Sequence, residues 1–254
     1  MASSLGVSSL TPERKTAPRP KVVLLDAVGT VIRPLPSVAH AYQAAGQLHG
    51  IDLDLQTIRQ RFYQAISKYS VHAFQTSHGS DDPLRTSESS EIARWQAIVN
   101  FVLSPTTDQQ NDLFKHLWKH FGQAEHWCLF EDVSPALSRL ADAGIPLGLA
   151  SNFDQRLRPI AEQHLADFDL TLFISSEIGW VKPASQFYEH VTRELDCQPN
   201  EILLIGDDWE NDVQAPQIFG WQALYLTRSS KPGDGDIPNS YPSLDAAVDA
   251  VLAR

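Results

Sequence analysis

The chain has 254 residues, 43% of them hydrophobic and 20% charged, and a formal net charge of −11. This is ordinary globular composition with room for one domain and a sizeable insertion, and the acidic balance argues against nucleic acid as a partner. Two cysteines, Cys128 and Cys197, in no metal-binding spacing, argue against a disulfide framework or structural zinc and fit a reducing, cytoplasmic compartment; no apolar run approaches the ~20 residues that cross a bilayer.

Residues 1–20 are rich in Ser and Pro and read as a disordered tail, although a transit peptide fits the same composition. The run VVLLD (22–26) is a buried strand that delivers one carboxylate, Asp26, before the chain turns at Gly29-Thr30. From 36 to 129 the period changes. Leu55, Ile58, Phe62, Ile66 and Tyr69 recur at spacings of three and four, as do Ile92, Trp95, Val99 and Val102, then Leu113, Leu117 and Phe121. With residues 76–90 as a polar loop, this is an all-helical module of about four helices, placed where a lid would sit. Further strands follow at 146–151, 170–175, 201–207 and 222–227. Helical segments alternate with them: 134–144, capped by Ser134 and stopped by Gly144, and 184–195, with Phe187, Val191 and Leu195 on one stripe. A turn-rich segment (228–243) precedes a short last helix. The alternation predicts an α/β fold, a Rossmann-like doubly wound parallel sheet, with an inserted helical cap. The core then comprises residues 21–35 and 130–254, and the cap residues 36–129.

In such sheets ligands bind beyond the carboxyl ends of the strands, and each strand end here delivers a polar group. The first ends in Asp26, the second in Ser151-Asn152; the third is followed by GWVKP with Lys182, and the fourth by GDDWEND with Asp207, Asp208 and Asp212. Singly, each is more often a turn former, a helix cap or a solvated side chain. Their order in one chain is far more specific.

That order resembles the haloacid dehalogenase-like hydrolase superfamily, with DAVGT as its first motif, ASN as its second, VKP as its third and GDDWEND as its fourth. The DAVGT form, the helical insert of the C1 cap type and the RWQ segment (94–96) look most like subfamily IA members similar to the rhythmically expressed gene-2-like proteins. The resemblance implies an aspartyl-phosphate formed on Asp26 and Mg²⁺ held by Asp26, the Val28 carbonyl, Asp207 and Asp212. Lys182 would supply counter-charge, and Ser151, Asn152 and the amides from Val28 and Gly29 would donate to the phosphoryl oxygens of a small phosphorylated substrate.

One position departs from the pattern. Phosphatases of this superfamily carry an acid two residues after the nucleophile, which protonates the leaving oxygen and activates water; here that residue is Val28. Losing one general acid costs about 10²- to 10⁴-fold. Activity is then weak or limited to good leaving groups, unless a group such as Arg33 or His40 supplies the proton. A non-catalytic ligand-binding protein is the alternative, and a 2-haloacid dehalogenase the third reading, disfavoured by the retained Gly206-Asp207. His116 and His120, four apart on a helix, have zinc-ligand spacing but no evident third ligand. Substrate identity and oligomeric state are not legible in the residues.

Overall fold

The computed structural model describes residues 18–228 and 237–254. Residues 1–17 of the expected tail and 229–236 of the turn-rich segment lie outside the described residues.

Strand β1 (Val22–Leu25) is four aliphatic residues buried on both faces, as a central parallel strand requires. Strand β2 (Ile32–Pro34) leads out into five helices: α1 (Val38–Leu48), α2 (Leu55–Lys68), α3 (Val71–Ser77), α4 (Glu88–Leu103) and α5 (Gln110–His120). Strand β3 (Trp127–Leu129) leads back, pairing antiparallel with β2 so that Pro34 faces Trp127 and Ile32 faces Leu129. The base continues with α6 (Val133–Asp142), β4 (Leu147–Ser151), α7 (Leu157–His164), β5 (Leu170–Ile174) and the one-turn α8 (Ser175–Ile178). Then come α9 (Ser185–Glu194), β6 (Ile202–Gly206), α10 (Ala215–Phe219), β7 (Gln222–Leu226), β8 (Ser240–Tyr241) and α11 (Leu244–Leu252).

The main sheet has the order β5-β4-β1-β6-β7-β8 with every pairing parallel. Chain order reverses on either side of β1, which makes its carboxyl end a topological switch point. Alternate residues face opposite layers, as the strand period of two dictates. Val23, Leu25, Leu149, Leu203 and Ile205 meet α6, α7 and α11 on one face, whereas Val22, Leu24 and Leu204 meet Phe187, Tyr188 and Val191 of α9 on the other. A third core lies wholly within the inserted helices, where Tyr42, Ile58, Ile98, Val102, Leu113 and Leu117 pack together. Each fully buried side chain of this size stabilises by about 1.5–3 kcal/mol. The insertion therefore has its own reason to fold as a cap.

Four details differ from the sequence reading. The cap has five helices because Ser70 caps a seven-residue helix, α3, inside and just before the expected loop. Ile66 and Ile92, expected on buried stripes, are each 37% exposed. Helix α6 begins after Asp132 rather than at Ser134, and the Asp132 carboxylate is committed instead to Arg228 and the Leu244 amide. The β2–β3 pair was not foreseen, and Trp127, within the expected cap range, is buried in the core of the base.

Candidate active site

The Asp26 amide donates to the Ile205 carbonyl at 2.9 Å, so the ladder between β1 and β6 sets where this carboxylate emerges. The Ala27 carbonyl accepts the amides of Val31 and Ile32, both at 2.8 Å, closing a tight turn. Gly29 within it has φ +95°, and a Cβ there would overlap the Asp207 carboxylate. The Thr30 hydroxyl donates to Asp207 Oδ1 at 3.2 Å. After Asp207 the chain makes a π-helical turn, Trp209–Gln214, whose first amides are held by Asp208: Asn211 N–H donates to its Oδ1 at 2.9 Å. The wide turn returns Asp212 beneath the strand end, against Gly206, where any Cβ would collide with it. Such insertions recur at functional sites. Asp212 thus lies inside an irregular turn rather than at the start of a regular helix.

Lys182 ties Asp26 to Asp212. Its side chain is 1% exposed, and Nζ donates to Asp26 Oδ1 at 3.0 Å, to Asp212 Oδ1 at 2.5 Å and to the Ala150 carbonyl at 2.7 Å. Three donors meet three acceptors, the full capacity of an ammonium. Burial acts against its charge, but Asp212 and Asp26 outweigh burial and hold its pKa above the ordinary lysine value. Asn152 fixes the peptide that carries it: Lys182 N–H donates to Asn152 Oδ1 at 2.8 Å, and Asn152 Nδ2 donates to the Lys182 carbonyl at 2.9 Å. Ser151, buried at the end of β4, has a hydroxyl with no hydrogen-bond partner among the described residues.

Oxygen atoms of Asp26, Asp207 and Asp212 lie within 4.8 Å of one another. Desolvation of the Asp207 carboxyl in the turn, reinforced by the Asp26 charge, pushes it up to about 6, although the residue as a whole is exposed. Burial also raises Asp212, the Asp26 charge adding to it and Lys182 opposing. One ammonium against three carboxylates leaves negative charge uncompensated, and an all-oxygen donor set of this kind fits a hard divalent cation. A cavity of about 230 Å³ opens over the group, lined by Asp26, Ser151, Asn152, Lys182, Asp207 and Asp212 together with Val28, Asp208 and Asn211. Val28 presents an aliphatic wall there, 38% exposed.

Several residues weighed in the sequence lie elsewhere. Arg33 sits 5.3 Å over the Phe130 ring and His40 Nδ1 bonds Ser37 Oγ at 2.7 Å; neither lines this cavity. His120 stacks on His126 at 3.6 Å, but among the described residues no histidine group brings three ligand atoms together. A larger cavity of about 550 Å³, between β2 and helices α1 and α2, holds none of the carboxylates. Arg228 is a part that the sequence did not offer. It donates through Nη2 to the Thr30 carbonyl at 2.8 Å, pairs with Asp132 at 2.8 Å and covers the Phe130 ring at 4.1 Å, so it anchors the turn that abuts Asp207. No local signal marks it, since 198 residues separate it from Thr30.

The family model of haloacid dehalogenase-like hydrolases matches residues 20–220. This chain belongs to that family. The human haloacid dehalogenase-like hydrolase domain-containing protein 3 is 26% identical over 215 residues, which cover 81% of each chain. Among solved structures, the L-2-haloacid dehalogenase of Xanthobacter autotrophicus superposes on this hydrolase with a TM-score of 0.67 at 16% identity, over 92% of this chain and 99% of that one. The magnesium-bound HAD-hydrolase YfnB of Bacillus subtilis gives 0.64 at 16% identity, over 92% and 100%. At such identities the structural likeness establishes the fold: a parallel Rossmann-like core under a helical cap. Among the described residues, no helix of this hydrolase is long and apolar enough to cross a membrane.

Proposed function

We propose that this hydrolase is a Mg²⁺-dependent phosphatase of a small phosphorylated metabolite, acting in the cytoplasm, with residues 36–129 as a C1-type cap over a core of 21–35 and 130–254. Within the family we place it in subfamily IA, beside the rhythmically expressed gene-2-like members. The observation that carries the reading is the convergence of Asp26, Asp207 and Asp212 on one another at the floor of one cavity, with Lys182 paired to Asp26 and Asp212. Magnesium is reported bound in YfnB, which supports the same ion here.

Asp26 Oδ1 is held by Lys182, while Oδ2 has no hydrogen-bond partner among the described residues and is the attacking atom. It forms a bond to phosphorus as the bond from phosphorus to the leaving oxygen breaks, and the electron pair departs with that oxygen. Water then attacks phosphorus in the aspartyl-phosphate as the bond from phosphorus to Asp26 Oδ2 breaks; the water's oxygen and protons leave with inorganic phosphate, and the Asp26 carboxylate is restored. Lys182 Nζ, its three donors taken by Asp26, Asp212 and the Ala150 carbonyl, supplies counter-charge, and Asn152 keeps the lysine in place. The Ser151 hydroxyl and the amide at 28 donate to the phosphoryl oxygens. The Gly29 amide, expected among these donors, is spent instead on the Ile32 carbonyl at 2.9 Å, which closes the turn. Asp26, Asp207 and the Val28 carbonyl would hold Mg²⁺ with Asp212 behind them, and the ion supplies counter-charge that lets one anion approach another. Val28 offers no proton, so the leaving oxygen departs as an anion. Acyl and aryl phosphates tolerate that; alkyl phosphates do not.

The same valine favours the second reading, a ligand-binding member without turnover. Dehalogenation ranks third, because the dehalogenase likeness extends to the fold alone while the three-carboxylate group calls for a cation. Phosphate release from aryl, acyl and alkyl monoesters, with and without Mg²⁺ and with Asp26→Asn as the blank, tests the proposal. Metal-dependent turnover of aryl and acyl esters is expected. No release above the blank sinks the phosphatase reading and leaves the ligand-binding one.

A further inference from the structure

Besides its two covalent linkers, the cap touches the base where Arg156 lies over the Trp118 ring at 3.5 Å and again at the lysine loop. Thr86 N–H donates to the Gly179 carbonyl at 3.0 Å and Val181 N–H to the Leu84 carbonyl at 3.1 Å, so cap residues 84–86 and base residues 179–181 form one rung of antiparallel sheet around Arg85 and Trp180. The Arg85 guanidinium lies 5.4 Å over the Trp180 ring. Next to this pairing, Glu88 in the first turn of α4 accepts the Gln155 amide at 2.9 Å and the Ser176 hydroxyl, both from the base. Lys182 is the residue after Val181, and Asn152 grips its peptide from the other side.

The cap half of this clasp is rooted in the cap's own interior. Gln75 of α3 donates to the Arg85 carbonyl at 2.8 Å. The Thr86 hydroxyl donates to Glu91 at 2.8 Å, Glu91 pairs with Arg94 at 2.5 Å, and Arg94 reaches the Tyr69 carbonyl at 3.3 Å. Glu91 is buried and Arg94 nearly so, which makes this a satisfied polar chain of the kind that rigidifies its surroundings. It also gives the RWQ segment a use, because its arginine connects the packed centre of the cap to the strand that meets the lysine loop.

We infer that residues 84–88 of the cap are a positioning segment for Lys182: the ammonium is correctly placed only while the clasp is formed, so cap docking and the counter-charge on the phosphoryl group are one event. This rests on the phosphatase reading for what Lys182 faces. Neither Arg85 nor Glu88 lines the catalytic cavity, so Arg85 acts through the loop, and Glu88 through the neighbouring base segments at Gln155 and Ser176 that dock the cap beside it, and not on substrate.

Glu88→Ala removes the side-chain half of the clasp, and Arg85→Cys with Trp180→Cys can replace it. These two are a non-hydrogen-bonded antiparallel pair, whose Cα separation of about 4.5 Å suits a disulfide. Two readouts are taken: Mg²⁺-dependent turnover of an aryl phosphate, and the affinity for inorganic phosphate in Mg²⁺ by calorimetry. Glu88→Ala is expected to lower kcat at least tenfold and weaken phosphate binding several-fold, with the unfolding midpoint close to wild type. In the triple variant, oxidation is expected to restore both to within about twofold of wild type, and dithiothreitol to abolish the rescue. Wild-type kcat and phosphate affinity in Glu88→Ala, or an oxidised triple variant as impaired as the reduced one, would overturn the clasp alone. A wild-type protein that neither binds phosphate nor turns over would overturn the phosphate reading and the clasp with it.

Discussion

Val28 stands on the wall of the cavity with its side chain partly exposed, close to Asp26 and clear of the packed core. A carboxylate fits there without displacing anything, so Val28→Asp is expected to be a gain of function. We expect alkyl phosphate turnover to rise by about 10²- to 10⁴-fold, the typical worth of a general acid, with aryl esters changing far less; initial rates on the two classes measure it. Lys182 sets the opposite case. Lys182→Met leaves Asp26 and Asp212 buried against each other, and breaking a buried pair in this way costs about 3–5 kcal/mol. Urea unfolding without metal is expected to show that loss, and added Mg²⁺ to recover part of it. A variant as stable as the parent would mean that the acids simply take up protons.

At the scale of elements, the turn after β1 is held from outside by Arg228, at the end of β7. Arg228→Ala leaves the buried Thr30 carbonyl without that partner, which costs about 1–3 kcal/mol, and loosens the turn against Asp207. Outer partners of metal ligands are typically worth 10- to 100-fold in affinity, so the Mg²⁺ concentration needed to raise the unfolding temperature is expected to increase by that factor. Helix α5 ends in a second testable contact, the stack of His120 on His126. Burial first, then the neighbouring charges of His126 and His116, depress the His120 pKa from 6.5 to about 4. The unfolded chain therefore takes up this proton more readily than the folded one. The contribution is fully present above pH 6.5 and lost as pH falls towards 4, and His120→Gln is expected to flatten that part of the stability profile in urea titrations.

These elements also show what the residues disclosed in advance. Strands β1, β4 and β6 were legible because a strand buried on both faces is a continuous apolar run, β5 and β7 because they are short and mostly apolar, and the acids and the lysine because each directly follows such a run or the turn after it. The long cap helices were legible from their period. The rest depends on contacts between distant residues. Arg228 and Thr30 are 198 residues apart, and the clasp joins positions in the eighties to positions near 180. Strands β2 and β3 have three residues each and exist only as partners. The side chain of Asn152 was read as a phosphate donor, while its observed bonds are to the Lys182 peptide, a partner thirty residues away.

At the scale of the whole molecule, the β2–β3 pair has a consequence for how the chain reaches its fold. Strands β1 and β4 are neighbours, yet the entire cap lies between them in sequence. Closing a flexible loop of about 90 residues rather than one of a few residues costs about 2–3 kcal/mol more in chain entropy. Because Pro34 and Trp127 sit opposite each other, a cap that has collapsed around Tyr42, Ile58 and Leu113 already brings its two ends side by side. The long excursion then counts as a short one, and β1 meets β4 almost as if the insertion were a hairpin. An insertion attached to a Rossmann-like base through two adjacent strand ends can in this way be large without slowing the assembly of the sheet beneath it.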